Sequence, residues 1–173
     1  MGPIWFYFVT LLLLWGFIGL IRGFKKELGV TIVLITFMLI DYLIQMRVVP
    51  RVIPSWPETH ALWLLLIYQF VMLFGAFIAY QGYTLSFPGA DPTGFFSWIY
   101  GMIVGLLNGY LLWGTIWYYT NMLGYPGPLF NLPVSPLDQI LVGYTPFAII
   151  PPEYTQWVLL GSLIVLLIVR VIR

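Results

Sequence analysis

The chain has 173 residues, of which 61% are hydrophobic and 8% are charged, and its mean hydropathy is +0.97. Soluble domains carry about 25% charged residues, so the composition excludes an ordinary soluble domain and favours a protein surrounded by lipid. The net charge of +1 gives no electrostatic footprint for nucleic acid. Cysteine is absent, which excludes disulfides, thiolate metal sites and thiol nucleophiles.

Five segments are long and apolar enough to span a membrane, which takes about 20 mainly apolar residues. We therefore predict an all-α, polytopic membrane helix bundle that forms a single transmembrane domain over residues 1–173. The predicted helices cover about 3–21, 28–46, 56–85, 93–120 and 152–172. Ser55 with Glu58 forms a capping-box pattern before the third helix, and Asp91 with Pro92 is typical of the start of the fourth.

The N-terminal segment resembles an uncleaved first transmembrane helix. Its apolar run begins at Ile4 and its basic residues follow it, whereas a cleavable signal peptide has its basic residues first. Lysine and arginine concentrate on the cytoplasmic side of membrane helices. We therefore predict that the N-terminus lies outside and the C-terminus in the cytoplasm. In this orientation every lysine and arginine except Arg47 and Arg51 lies on the cytoplasmic side. The residues that set this topology are Arg22, Lys25, Lys26, Arg170 and Arg173.

The proline-rich connection over residues 121–151 is the only long one. Its prolines argue against a sixth spanning helix, and Asp138 is its only charged residue. Ser135 to Asp138 predicts the start of a short helix that ends at Gly143. We interpret the connection as a loop folded onto the protein's own outer face and the lipid interface. The alternative is a docking surface for another membrane protein.

Small residues recur at helical spacing on three predicted helices, where they let helix backbones approach closely in lipid. This pattern predicts intramolecular helix packing, with contacts to another subunit or another copy as the alternative. The helix-packing residues are Gly16, Gly19, Gly23, Gly75, Ala79, Gly101, Gly105, Asn108 and Gly109. Gly82 extends the face that Gly75 and Ala79 form on the third predicted helix.

Two polar residues lie inside predicted spans. Asp41 is a functional candidate, because ionisable groups there are costly. We expect a structural ion pair with Arg47 or Arg51, or an interfacial contact, since a proton or ion pathway would need a second buried acid or lysine. Gln69 is expected to be an interhelical hydrogen-bond partner.

No pattern in the chain indicates catalysis, and we expect that the protein is not an enzyme. There is no phosphate-binding glycine loop, no nucleophile with a matching base, and no His and carboxylate cluster for a metal. His60 is the one weak candidate for cofactor binding, as a one-sided ligand of haem or chlorophyll, and an interfacial polar residue is the simpler interpretation. No cofactor is predicted, and a bound lipid or pigment is left open.

The hairpin motif at residues 19–29 and the glycine-rich stretch at 101–109 resemble the CvpA family, the colicin V production proteins. The resemblance covers about residues 4–120. It implies a multi-pass protein of the bacterial inner (cytoplasmic) membrane, linked to toxin export or envelope physiology.

The chain departs from the family pattern at several points. An acidic residue is missing ahead of the first helix, where Gly2 to Ile4 stand, and an Asp-Arg pair is missing around residues 95–98. Asn108 stands at a position where the family often has arginine. The connection 121–151 and the fifth helix extend beyond the four-helix core, which leaves room for recruitment to another complex.

These observations lead to three hypotheses. The first is a non-enzymatic membrane protein of CvpA-like type that acts through packing with other membrane components. The second is an accessory subunit of a respiratory or photosynthetic supercomplex, which the 19% aromatic content and the apolar connection suit. The third is a small transporter or channel that uses Asp41, Gln69 and Asn108. The partners expected are the lipid bilayer and other membrane-protein subunits.

Overall fold

The structure is a computed structural model that describes residues 3–52, 61–81, 87, 95–126 and 134–172. These residues fold into eight α-helices and one π-helical turn, Ile44–Val48, which joins α2 to α3. The helices are α1 Ile4–Arg22, α2 Phe24–Leu43, α3 Val49–Val52, α4 Ala61–Gln81, α5 Phe95–Met122, α6 Pro136–Val142, α7 Pro146–Ile149 and α8 Pro152–Ile172. Five of the described spans are long and apolar enough to cross a membrane, which confirms the predicted all-α membrane bundle.

The connection between the first two helices is a single residue, Gly23. Its φ of 87° lies in the left-handed region that glycine adopts at little cost, so α1 can end at Arg22 and α2 can begin at Phe24. The predicted bounds, 3–21 and 28–46, are therefore wrong at this junction. As a result Glu27 belongs to the first turn of α2 and not to a loop. We call this end of the bundle the hairpin end.

Glycines hold α1 and α5 together. A Cβ atom on Gly105 would lie 2.5 Å from the Trp15 carbonyl oxygen and 2.9 Å from the Gly19 Cα, so only glycine permits this approach. Gly16 and Gly109 also meet side chains of the opposite helix. The predicted intramolecular packing of these two glycine faces is confirmed.

The second helix is the centre of the bundle, since it packs against α4, α5 and α8. Its inner face meets α4 and α5 along a buried seam with helical spacing. On α4, Gly75 leaves room for the Phe37 ring of α2, and Ala79 is buried, as predicted. The apolar residues of the seam that are at most 1% exposed include Leu34, Met38, Leu65, Met72 and Leu112.

The last helix lies at the edge of the bundle. Among its described side chains only Thr155 and Leu159 are buried, and its principal contact is with α2. Its predicted bounds, 152–172, match the observed ones. Most of its surface therefore faces away from the rest of the described protein.

The connection before α8 folds back onto the bundle. Ser135 and Asp138 form the predicted capping box at the start of α6, and Gly143 follows the end of that helix. An Asp138 carboxylate oxygen also accepts a 2.6 Å hydrogen bond from the backbone N–H of Trp5 in the first turn of α1. One carboxylate thus caps two helices, which ties the connection to the end of α1.

The second part of the connection enters the core. Phe147 of α7 is buried, with its ring 5.5 Å from the rings of Tyr118 and Tyr119. The Tyr110 hydroxyl donates a 2.7 Å hydrogen bond to the Tyr144 carbonyl oxygen. For residues 134–151, the predicted folding onto the protein's own helices is confirmed. We call α6 and α7 the loop cap, and this end of the bundle the cap end.

Several predicted features lie outside the described residues. These are the capping pattern at Ser55 and Glu58, the Asp91-Pro92 start, His60, Gly82 and Arg173.

Candidate functional site: two buried acids on the central helix

Two acidic side chains on the same face of α2 are fully buried. Glu27 and Asp41 are each 0% exposed. They are fourteen positions apart, which corresponds to about 21 Å along a helix axis. The spacing of three and four residues that links them through Thr31, Leu34 and Met38 places them all on the face that meets α4 and α5.

Glu27 lies near the hairpin end and is surrounded by donors from three helices. Its carboxylate accepts hydrogen bonds from Asn108 Nδ2 at 2.8 Å and from the Tyr80 hydroxyl at 3.1 Å. The Arg22 guanidinium completes the set with a 3.3 Å ion pair. Each oxygen of the carboxylate therefore has at least one partner, which is what allows a charge to stay buried.

Asn108 connects α2 to α5. Its amide nitrogen donates to both the backbone carbonyl oxygen and the carboxylate of Glu27, at 2.9 and 2.8 Å. Its amide oxygen accepts a 2.7 Å hydrogen bond from the Thr31 hydroxyl. Every polar atom of the Asn108 side chain is paired, so this predicted packing residue acts as an interhelical hydrogen-bond connector.

Arg22 is held by more than its charge. Its guanidinium carbon lies 4.4 Å from the centre of the Tyr80 ring, a cation–π arrangement. The guanidinium side chain is 22% exposed, so its outer edge reaches the surface while its inner edge meets Glu27. The residue predicted to set the topology therefore also neutralises a buried acid.

Asp41, toward the cap end, has no such partners. Both of its carboxylate oxygens are buried without a hydrogen-bond partner in the described part of the chain. Arg47 and Arg51 are exposed, and neither forms an ion pair with it. The predicted ion pair is therefore wrong. Arg47 lies six positions further along the helix, a rotation of about 240° that turns it away from the Asp41 face. Arg51 lies beyond the π-helical turn Ile44–Val48, which changes the helical register.

Aromatic rings form the walls around Asp41. Tyr68 of α4 and Tyr119 of α5 are stacked, with ring centres 4.3 Å apart and planes inclined by 19°. Both tyrosines are within electrostatic reach of the Asp41 carboxylate. The Tyr119 hydroxyl and the Thr115 hydroxyl are also buried without partners. Three unpaired polar groups thus lie in this half of the seam.

Gln69 forms the interhelical contact that was predicted. Its side-chain amide donates a 3.3 Å hydrogen bond to the Thr120 hydroxyl of α5. Both residues border a largely apolar cavity of about 150 Å³, whose other walls include Phe8 and Trp113. A cavity of that size accommodates about one benzene-sized group.

Asp138 in the loop cap shows how a third acid is stabilised. Burial raises its pKa, but hydrogen bonds from Ser135 and from the backbone N–H groups of Trp5 and Ile4 outweigh that effect. The net result is a pKa below the usual value of 3.8. Its charge is thus supported by donors, as that of Glu27 is.

The sequence alone does not single out Glu27 as a site residue, because Glu27 follows two lysines in a stretch that has the pattern of a polar hairpin. The signal that could have identified it is its position four residues before Thr31 and fourteen before Asp41, on one face of a continuous helix. Among the described residues no group of three or more His, Cys, Asp or Glu could hold a metal ion.

Together the fold and these buried groups define an integral membrane protein with five membrane-length helices and two acids inside its helical seam. Comparison of the chain with models of known protein families, with curated proteins and with solved structures finds no match. The likeness to CvpA proteins stays a prediction that rests on the hairpin and the glycine-rich stretch of α5.

Proposed function

We propose that the chain is a non-enzymatic membrane protein of CvpA-like type that acts by packing α8 against other membrane components. The observation that carries the proposal is the position of α8, which contributes few side chains to the core. Its apolar face includes Trp157, Val165 and Ile168, which are 66%, 59% and 49% exposed. Lipid or another membrane protein must cover this face.

Gly161 indicates which of the two, lipid or another protein, covers this face of α8. A Cβ added at Gly161 would meet no atom within 4 Å, whereas Gly19 and Gly105 meet the backbone of the opposite helix. A glycine on an exposed helix face leaves a notch that admits a second helix closely. Lipid chains need no such notch, so Gly161 supports a protein partner.

Two classes of partner fit the proposal. The resemblance to CvpA proteins implies envelope or toxin-export components of a bacterial inner membrane. The alternative is a respiratory or photosynthetic complex, in which the chain would be an accessory subunit. The exposed aromatic side chains Tyr154 and Trp157, near the start of α8, suit either setting.

The test is purification from native membranes in mild detergent, followed by mass spectrometry of the proteins recovered. We expect a stoichiometric membrane partner with the native chain, and its loss from the Gly161→Leu variant. Thr10→Leu is the matched control, because Thr10 is exposed on α1, far along the chain from α8. Recovery of the chain alone, or equal recovery of the partner with both variants, would contradict the proposal. Redox or pigment proteins among the partners would select the accessory-subunit alternative.

The predicted orientation, with the N-terminus outside and the C-terminus in the cytoplasm, has its own test. The chain contains no cysteine, so a single cysteine placed at Lys26, beside the hairpin, reports on one side of the membrane. We expect labelling by a membrane-impermeant thiol reagent only after the cells are opened. Labelling of intact cells would reverse the orientation.

A further inference from the structure

The half of the seam near the cap end contains a buried acid without a counter-charge. Asp41 is 0% exposed, and both of its oxygens lack partners in the described chain. Two hydroxyls of α5, those of Thr115 and Tyr119, are likewise buried and unpaired. They are four residues apart, on the face of α5 that packs toward α2 and α4. A charge left in such surroundings is expensive unless it is neutralised.

Among the described residues, no side chain that faces this region from the neighbouring elements brings a positive charge. The titratable groups around it are tyrosines: Tyr68 from α4 and Tyr118 and Tyr119 from α5, with Tyr42 beside Asp41 on α2. At the same level, α7 contributes Phe147 and α8 contributes Thr155, and both side chains are uncharged. The basic residues that follow, Arg47 and Arg51, are exposed to the outside of the bundle.

The helix changes its geometry directly after the acid. The π-helical turn Ile44–Val48 begins three residues after Asp41, and such turns occur frequently at functional sites. A small cavity of about 30 Å³ lies beside this turn, bordered by Tyr42, Gln45 and Thr155. This volume is large enough for one water molecule, and those three side chains offer polar partners. Asp41 itself does not border this cavity, but Tyr42, the residue that follows it, does.

We infer that Asp41 is an exchangeable proton-binding site within the membrane-spanning bundle. In the folded state the carboxyl group holds a proton and is neutral, which removes the need for a counter-charge. On release, the carboxyl O–H bond breaks and the proton passes to a water molecule at the π-helical turn, which leaves the carboxylate. On uptake, a hydronium ion returns the proton to the carboxylate.

This inference is independent of the proposed packing of α8, since it concerns the seam of α2, α4 and α5. It differs from the Glu27 site in kind. Glu27 has an arginine and two neutral donors, whereas Asp41 has none of these among the described residues.

The experiment is infrared spectroscopy of the full chain in lipid nanodiscs, titrated from mildly acidic to strongly alkaline pH. We expect a carbonyl stretching band of a protonated carboxylic acid at neutral pH, which is lost reversibly as the pH rises. The band should be missing from Asp41→Asn, an isosteric variant whose fold is checked by circular dichroism. It should persist in Asp138→Asn, the matched control outside the spans. Asp41→Glu should retain a band at a shifted frequency.

Three results would overturn the inference. The first is a neutral-pH spectrum of the native chain without a protonated carboxyl band. The second is a band that survives in a folded Asp41→Asn protein. The third is loss of the band at constant pH when sodium chloride replaces choline chloride, because the site would then bind sodium in place of a proton.

Discussion

Glu27 and Asp41 lie on the same face of the same helix and are equally buried, yet within the described part of the chain only Glu27 has hydrogen-bond partners. Near the hairpin end, α1, α4 and α5 each contribute a donor, because the one-residue turn at Gly23 brings Arg22 next to the first turn of α2. Near the cap end the neighbours are aromatic rings and two unpaired hydroxyls. Burial alone therefore does not define the role of an intramembrane acid. The donors around it decide whether it connects helices or exchanges a proton.

The largest effect is expected for Glu27→Leu. The substitution removes the carboxylate that pairs with Arg22 and accepts from Asn108 and Tyr80, and we expect a loss of about 3 kcal/mol in the free energy of unfolding. Equilibrium unfolding in mixed detergent micelles measures it. Asp41→Leu is the control, for which we expect no loss because no donor is orphaned. Equal losses in the two variants would remove the distinction between the acids.

A smaller effect is expected for Asn108→Leu, which removes the donor of two hydrogen bonds to Glu27. Interhelical hydrogen bonds in membranes contribute about 1–2 kcal/mol at most, and we expect a loss of about that size in the same assay. Gln69→Leu is the comparison, since its single contact to Thr120 is longer, at 3.3 Å, and should cost less. A larger loss for Gln69→Leu would show that Asn108 does not connect the helices.

Asp138→Ala tests a third acid, which is supported by donors but lies outside the spans. Removing the cap shared by α1 and α6 should cost about 1 kcal/mol at neutral pH. The native pKa of Asp138 lies below 3.8, so its contribution is complete above that value and is lost as the pH falls through the native pKa. The difference between variant and native unfolding free energies should therefore shrink in strong acid. A difference that grows in acid would contradict the assignment.

The smallest changes in unfolding free energy are expected for Tyr80 and Tyr119. Tyr80→Phe removes a hydrogen bond to Glu27 and should cost about 0.6 kcal/mol. Tyr119→Phe removes a hydroxyl that has no partner among the described residues, and it keeps the ring stacked on Tyr68. We expect no loss or a small gain, measured as a pair in the unfolding assay. A greater loss for Tyr119→Phe would show that its hydroxyl is paired in the membrane.

Much of the bundle could be predicted from the chain because membrane helices follow from apolar length alone. The glycine faces of α1 and α5 were predictable for a related reason, since residues four apart share a helix face whatever the partner is. The short helix at Pro136 was predictable because Ser135 and Asp138 satisfy each other locally. Each of these features depends on residues that are near in sequence.

The two acids were harder to predict because their partners come from other helices. The surroundings of Glu27 depend on Gly23, whose left-handed φ shortens the hairpin to one residue and moves the acid into the bundle. Proximity in sequence suggested Arg47 and Arg51 for Asp41, but both side chains point away from it. Only the three-dimensional arrangement shows that Glu27 has three side-chain partners and that Asp41 has none among the described residues.

The most direct test of the contrast is a matched pair of amide substitutions, Glu27→Gln and Asp41→Asn, compared by equilibrium unfolding at neutral pH. Each replaces an ionisable carboxyl group with a neutral amide and keeps the size of the side chain. We expect Glu27→Gln to lower the free energy of unfolding, because the ion pair with Arg22 is lost. We expect Asp41→Asn to unfold at the native free energy or above it, since the native carboxyl group is already neutral. A loss for Asp41→Asn equal to or greater than that for Glu27→Gln would contradict the contrast between the two acids.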